Sequence, residues 1–190
     1  MLLDQLKDMC ANMIDYLATE YAEVKMDFPY FITKTSPVSC QTSLFSLSAG
    51  FLWINNCDEL THKIKVRVGV TSLCPCSKEI SKYGAHNQRA YVTLVLQPIG
   101  EEFIWFEDLI QIIENSASSP IYPLLKRPDE KFVTEYAYNH PMFMEDIVRE
   151  VYHSVITKYK GKIKYIFIEA ESEESIHQHL ALSRIEKVLI

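Results

Sequence analysis

A short stretch of strict alternation constrains the fold of this chain more than any other feature. Residues 62–71 alternate between apolar and basic side chains, with Ile64, Val66, Val68 and Val70 set against Lys63, Lys65 and Arg67. Successive side chains of a β-strand point to opposite faces. The pattern therefore predicts a strand with one face in a core and one basic face.

The periodicity of the remaining sequence predicts helices around this strand. Apolar residues at steps of three and four predict a helix over 1–24, and 37–54 is typical of a strand. Later predicted elements are a strand at 90–97, a helix through 106–113, a helix that starts at Asn139–Pro141, a strand at 163–168 and another after His179. Strands followed by helices and strands indicate an α+β fold, with helices packed on an antiparallel sheet.

Composition excludes several classes of protein. The net charge of −6 argues against a general nucleic-acid binder, and no apolar run reaches the length of a membrane span. The first residues also lack the pattern of a signal peptide. Five cysteines, of which only Cys74 and Cys76 are close in sequence, do not resemble a disulfide scaffold. We therefore expect a cytoplasmic protein without nucleic-acid or membrane partners.

The densest cluster of reactive side chains lies between the strands predicted at 62–71 and 90–97. It contains Cys74, Cys76 and His86, whose sulfur and nitrogen atoms suit a divalent metal such as zinc. A four-cysteine structural site is excluded, because no second pair of this spacing exists. Two free thiols and a histidine bonded to backbone would explain the same residues.

Three further segments carry polar groups in dense runs. They are 126–135, 140–146 and 173–179. Each has an ordinary explanation: a solvated charged loop, carboxylates favoured by a helix dipole, and idle side chains after a strand. None of the three predicts a function by itself.

Taken together, these segments resemble one family. SLCPCSKEISKYGAHNQR, then DEKFVTE, HPMFMED and ESIHQH in that order, are similar to type IB GTP cyclohydrolase. The resemblance implies a tunnelling fold (T-fold), in which subunits assemble so that their sheets close into a barrel. It further implies a homo-oligomer, a tetramer or dimer of dimers, with the active site at the subunit interface. We divide the chain into a partial first module at 1–60 and a second module at 61–190.

The resemblance also implies functional residues. Cys74, His86 and Glu130 would bind a divalent metal, zinc or manganese, and Glu145 would anchor the guanine of GTP. Cys74, Glu174 and His177 would be catalytic, with the histidine moving protons. The implied reaction is hydrolysis of GTP to 7,8-dihydroneopterin triphosphate and formate, the first step of folate-type pterin synthesis.

Two departures from the family pattern leave a second hypothesis open. The chain starts at the family's first helix, so the first module is expected to be incomplete, and Gln178-His179-Leu180-Ala181 replaces the usual tail. The alternative function is a truncated, inactive homologue that binds metal or guanine nucleotide without turnover.

Overall fold

One antiparallel sheet organises the computed structural model, which describes residues 2–100 and 102–189. The sheet has seven strands in the spatial order β1-β2-β3-β4-β6-β7, and β5 pairs with the end of β3. Their bounds are β1 Ala22–Thr35, β2 Thr42–Asn55, β3 Leu60–Leu73, β4 Asn87–Pro98, β5 Ser119–Pro120, β6 Ile163–Glu173 and β7 Leu180–Val188. The predicted α+β class with an antiparallel sheet is confirmed.

Five helices accompany the sheet in the described residues. They are α1 Leu2–Leu17, α2 Pro75–Ile80, α3 Phe106–Asn115, α4 Arg127–Asn139 and α5 Met144–Lys158. The apolar sides of α1, α3 and α5 pack against one face of the sheet. The short α2 follows β3 directly, and α4 contacts the carboxyl end of that strand. The predicted helical layer on one face is therefore present.

The central strands bury the apolar half of their alternation, as the sequence predicts. Val66, Val68 and Val70 of β3 are fully buried, and they join Leu109 of α3 and Val151 of α5 in the main core. Each fully buried aliphatic side chain stabilises the fold by about 1.5–3 kcal/mol. The opposite face carries the basic residues, where Lys65 pairs with Asp27 at 3.2 Å and Lys63 lies over the Tyr165 ring at 4.0 Å.

The first helix is shorter than predicted. It ends at Leu17, whereas the sequence predicts a helix to residue 24. Residues 22–35 form strand β1. The helical periodicity stops at Leu17, after which Ala22 and Val24 are buried at alternate positions. The predicted helix start at Met1 lies outside the described residues.

The strands β1 and β2 form a hairpin that extends the sheet. The paired residues run from Ala22 opposite Asn55 to Thr35 opposite Thr42. On its other edge, β2 pairs with β3. Near the hairpin's turn, Lys34 is buried and pairs with Glu114 of α3 at 2.5 Å. The described residues therefore give no evidence of an incomplete first module. The division at residue 60 stays a prediction.

Two other predicted boundaries are wrong. The strand predicted from Pro37 begins only at Thr42, because residues 36–41 form a turn in which Cys40 has φ 53°. Asn139 ends α4 instead of starting the next helix, and α5 begins at Met144. The Asp146 carboxylate accepts a hydrogen bond from Phe143 N at 3.3 Å and so caps α5 at that later point.

Among residues 2–100 and 102–189, no helix has the length and apolar character that crossing a membrane requires.

Candidate active site

The ends of β3, β4 and β6 bring together residues that are far apart in sequence. Leu73 pairs with Asn87, and just beyond this pair Cys74 N donates a hydrogen bond to His86 O at 3.1 Å. β6 pairs with β4, which places Glu174 at the same edge of the sheet. We call Cys74, His86, Gln88, Ser172 and Glu174 the strand-end cluster.

Cys74 is held at the start of α2. Its Sγ accepts a hydrogen bond from Ser77 N at 3.4 Å. The Ser77 hydroxyl donates to Cys74 O at 3.2 Å and accepts from His86 N at 3.1 Å. Ser77 therefore ties the two predicted metal ligands together through their backbones, a role that the sequence did not suggest.

The His86 ring faces two acceptors. Its Nδ1 lies 2.9 Å from Gln88 Oε1 and 3.8 Å from Glu174 Oε2. The side chains of His86 and Glu174 are only 11% and 13% exposed. The structure thus places the imidazole and a predicted catalytic carboxylate side by side, both largely buried.

Glu174 is oriented by its neighbours after β6. Its Oε1 accepts a hydrogen bond from the buried Ser172 hydroxyl at 2.8 Å, and its carbonyl accepts from His177 N at 3.2 Å. His177 itself is exposed and stacks on His179, with ring centroids 4.8 Å apart. The two predicted catalytic residues therefore lie in the same turn after β6, where the Glu174 side chain is largely buried and the His177 side chain is exposed to solvent.

Glu145 lies on an element that is anchored to the same edge. Met142 N donates to Leu73 O at 3.1 Å, and Met142 O accepts from the Ser72 hydroxyl at 3.1 Å. This loop leads into the first turn of α5, where the Glu145 side chain is exposed. The predicted guanine anchor is thus three residues from a direct contact with β3.

The remaining predicted ligand, Glu130, lies apart from this cluster within one chain. It is exposed in the first turn of α4. The far end of that helix contacts α2, because Lys78 Nζ donates to Tyr138 O at 2.5 Å. Tyr138 follows Glu130 by eight positions, which corresponds to roughly 12 Å along the helix. Within the described residues, no three His, Cys, Asp or Glu side chains converge as a metal site.

The neighbour of Glu130 has a different environment. Asp129 is fully buried, and its carboxylate accepts hydrogen bonds from Val38 N, Ser39 N and Lys126 N at 2.8 Å and from Ser39 Oγ at 2.5 Å. Burial by itself raises the pKa of Asp129, but the four hydrogen bonds outweigh it and hold the pKa below its usual range. Asp129 therefore fastens α4 to the β1–β2 turn.

Two clefts flank the strand-end cluster. One, of about 630 Å³, is lined by the end of β3, by residues 82–85, by Asn87 and by Val133, Thr134 and Ala137 of α4. Glu130 precedes these helical residues on the same face of α4. The other, of about 490 Å³, contains Arg67, Arg89 and Tyr91 on the open face of the sheet. Arg67 pairs there with Glu171 and stacks on Tyr91.

Sequence reasoning missed the buried polar residues behind these groups. Ser72 and Gln88 occupy inward positions of β3 and β4, in phase with Val70 and Ala90. A polar side chain at a position where the alternation predicts an apolar one was the available signal.

Known proteins similar to this chain identify its family. Residues 1–183 match the model of the type I GTP cyclohydrolase FolE2 family. GTP cyclohydrolase FolE2 of Citrifermentans bemidjiense is 46% identical over 185 residues, which are 97% of this chain and 67% of that protein. The FolE2 protein of Thiobacillus denitrificans is 45% identical over 184 residues, 97% of this chain and 67% of its own length.

Similarity to a solved structure supports the fold alone. Uricase from Arthrobacter globiformis superposes with a TM-score of 0.56 at 10% identity, covering 96% of this chain and 69% of the uricase chain. The tunnelling-fold-like arrangement of sheet and helices is consistent with this likeness. The matches to FolE2 proteins correct the type IB assignment made from the sequence: the chain belongs to the type I GTP cyclohydrolase FolE2 family.

Proposed function

We propose that this protein is a GTP cyclohydrolase that converts GTP and water to 7,8-dihydroneopterin triphosphate and formate, in folate-type pterin synthesis. The observation that carries the proposal is the 46% identity to a GTP cyclohydrolase over 97% of the chain. The strand-end cluster supports it, because it gathers a thiol, an imidazole and a carboxylate at one edge of the sheet.

A divalent metal, zinc or manganese, belongs to this proposal. Cys74 and His86 fit such an ion, because a sulfur and an imidazole nitrogen suit borderline metals. Gln88 Oε1 is hydrogen-bonded to Nδ1 of the His86 ring. In the described part of the chain no hydrogen bond engages His86 Nε2, so this nitrogen is the one proposed to bind the metal. When bound, the metal supplies the Lewis acidity that makes water a nucleophile near neutral pH.

Glu130 is the proposed third ligand, and its position bears on the assembly. Glu130 is exposed at the end of α4 that is remote from the contact with α2. Asp129 beside it cannot take this role, because both of its carboxylate oxygens already accept hydrogen bonds. We therefore propose a homo-oligomer, a tetramer or dimer of dimers, in which Glu130 of a neighbouring subunit completes the site at an interface.

In this proposal, the Glu145 carboxylate binds the guanine base and so selects GTP. A carboxylate offers two acceptors to the adjacent N1–H and N2–H donors of guanine, and adenine has no such paired donor edge. A carboxylate left without donors would carry a desolvation cost, which rejects adenine nucleotides. The first turn of α5 suits this role, because the side chain is exposed while its backbone is held in the helix.

The residues of the carboxyl-terminal turn handle protons. Water adds to C8 of the purine, the imidazole ring opens, and a second hydrolysis releases formate. Ribose rearrangement and ring closure, with loss of water, then form the pterin. His177 moves protons in these steps, since an imidazole can both donate and accept a proton, and Glu174 orients the site from its place beside His86.

The triphosphate requires cations on an otherwise acidic protein. Arg67 and Arg89 line the cleft next to Ser172 and Glu173. Lys78 is engaged by the Tyr138 carbonyl and ring, and Arg67 is paired with Glu171, so Arg89 is the strongest candidate of the three. We propose the arginine cleft as the phosphate side of the substrate site.

A turnover assay tests the proposal. Purified protein with GTP and Zn²⁺ or Mn²⁺ should yield a product that becomes a fluorescent pterin on oxidation, together with one formate per GTP. Metal binding without any product would favour the inactive homologue instead. ATP in place of GTP is the matched control and should give no product.

A hybrid experiment tests the interface. Cys74→Ala and Glu130→Ala proteins, each inactive alone, are mixed and allowed to exchange subunits. If the metal ligands come from neighbouring subunits, some hybrid sites keep every ligand and activity partly returns. Absence of any recovery, with subunit exchange verified by mass spectrometry, would place the three ligands in one chain.

A further inference from the structure

The amide of Gln88 belongs to a directional chain of hydrogen bonds behind His86. The chain begins at Met142 O, which can only accept, and the Ser72 hydroxyl donates its proton there at 3.1 Å. With its proton so used, Ser72 Oγ accepts from Gln88 Nε2 at 3.4 Å. The amide group is thereby oriented with its oxygen towards His86.

That orientation decides where the His86 ring carries its proton. Gln88 Oε1 is an acceptor and lies 2.9 Å from His86 Nδ1. The neutral ring must therefore hold its proton on Nδ1, which leaves the lone pair on Nε2. Ser72 and Gln88 are 2% and 9% exposed, so water cannot easily replace either partner.

We propose that Gln88 is a positioning residue that fixes the tautomer and orientation of His86, so that Nε2 is the metal-binding nitrogen. The inference rests on the proposed function for the identity of the bound ion, whereas the tautomer is a property of the metal-free protein. The same chain reaches Met142, in the loop that leads to Glu145. Gln88 thus links the metal side of the site to the guanine side.

Glu174 is the competing acceptor for the same proton. Its Oε2 lies 3.8 Å from Nδ1, which is longer than a hydrogen bond, and its Oε1 is engaged by Ser172. The geometry therefore favours Gln88 as the partner that holds the ring.

The test measures the His86 tautomer and the zinc affinity separately. Two-bond nitrogen–proton couplings in ¹⁵N-histidine-labelled, metal-free protein report the tautomer at about pH 8, above the titration range of imidazole. The His86 signals are identified by their loss in His86→Asn. Competition with a chromophoric chelator gives the Kd for Zn²⁺.

The variants separate acceptor function from packing. Gln88→Leu should lose the exclusive Nδ1–H tautomer and bind Zn²⁺ about 10–100-fold more weakly. Gln88→Glu keeps an acceptor at Nδ1, so it should keep the tautomer and a Kd within about threefold of the wild type. Gln97→Leu makes the same substitution near the other end of β4 and should change neither.

The proposal is overturned if Gln88→Leu retains both the tautomer and the zinc affinity, or if only Glu174→Gln alters the tautomer. Should Gln88→Leu fail to fold, Ser72→Ala releases the amide while leaving Gln88 in place, and it should also mix the tautomers. A wild-type protein that binds no zinc would overturn the proposed metal site, and the tautomer would still decide the role of Gln88.

Discussion

The strand-end cluster and the start of α4 both gather polar side chains, but they use them differently. At the start of α4, the Asp129 carboxylate is buried under four hydrogen bonds that join the helix to the β1–β2 turn. In the strand-end cluster, Cys74 and His86 are partly buried, Sγ accepts one hydrogen bond, and no hydrogen bond within the described residues engages Nε2. A polar group with every acceptor satisfied stabilises a fold, whereas one with spare lone pairs can bind.

The largest effects are expected when one functional group is removed from the metal side and one from the guanine side of the proposed site. Cys74→Ala and Glu145→Ala should each reduce GTP turnover by about 10³-fold or more, because the first loses a metal ligand and the second the guanine anchor. Both variants should unfold within a few degrees of the wild type. Turnover within tenfold of the wild type for either would contradict its assigned role.

Glu130 and Asp129, adjacent in sequence, allow the sharpest contrast. Glu130→Gln should weaken Zn²⁺ binding by about 10-fold or more and leave Tm nearly unchanged, since the side chain is exposed. Isothermal titration and thermal unfolding measure the two effects. Unchanged metal affinity would remove Glu130 from the ligand set.

Asp129→Asn should have the opposite profile. Asparagine places an NH₂ group where Ser39 Oγ and Lys126 N donate, so Tm at pH 7 should fall by at least about 4 °C. Since folding lowers the pKa of Asp129, its contribution to stability is present above the unfolded pKa of about 3.9. It is lost as pH falls towards the lower folded pKa.

The Tm difference between Asp129→Asn and wild type should therefore shrink in thermal scans as pH falls below about 4. A difference that is constant from pH 7 to pH 3 would mean that ionisation of Asp129 contributes nothing to its role.

The smallest effect is expected from substituting the two exposed cysteines that lie in turns outside the strand-end cluster. Cys40 and Cys57 are exposed and lie in turns with φ of 53° and 68°. Serine at either position should leave metal stoichiometry and turnover within about twofold, and Tm within about 2 °C. Loss of bound metal in Cys40→Ser or Cys57→Ser would mean that the ligand set has been misassigned.

Local patterns predicted the parts of the fold in which one periodicity dominates. The alternation in β3 gave both the buried valines and the basic face, and the stripes of α3 and α5 gave two helices of the core. Prediction failed where two patterns meet, as between α1 and β1, where helical spacing was extended past Leu17. It also failed at Asn139, because a capping residue type can end one helix as well as start another.

The candidate site shows a similar division. The residue types in SLCPCSKEISKYGAHNQR identified Cys74 and His86, and the pairing of β3 with β4 explains why they meet. Ser72, Ser77 and Gln88 lie in the same motif, but their residue types alone did not reveal their roles, because those roles depend on hydrogen-bond partners up to 70 residues away.

The sequence by itself determined the class of fold, the family resemblance at the level of GTP cyclohydrolase, and the side chains capable of the chemistry, because these depend on local periodicity and residue type. Only the tertiary structure decided which groups are satisfied and which keep a free lone pair. Asp129 and Glu130 are adjacent carboxylates, and burial against Ser39 makes one structural while exposure leaves the other able to bind. Burial and hydrogen-bond partners arise from distant segments packing together, so the spacing of residues in the sequence does not reveal them.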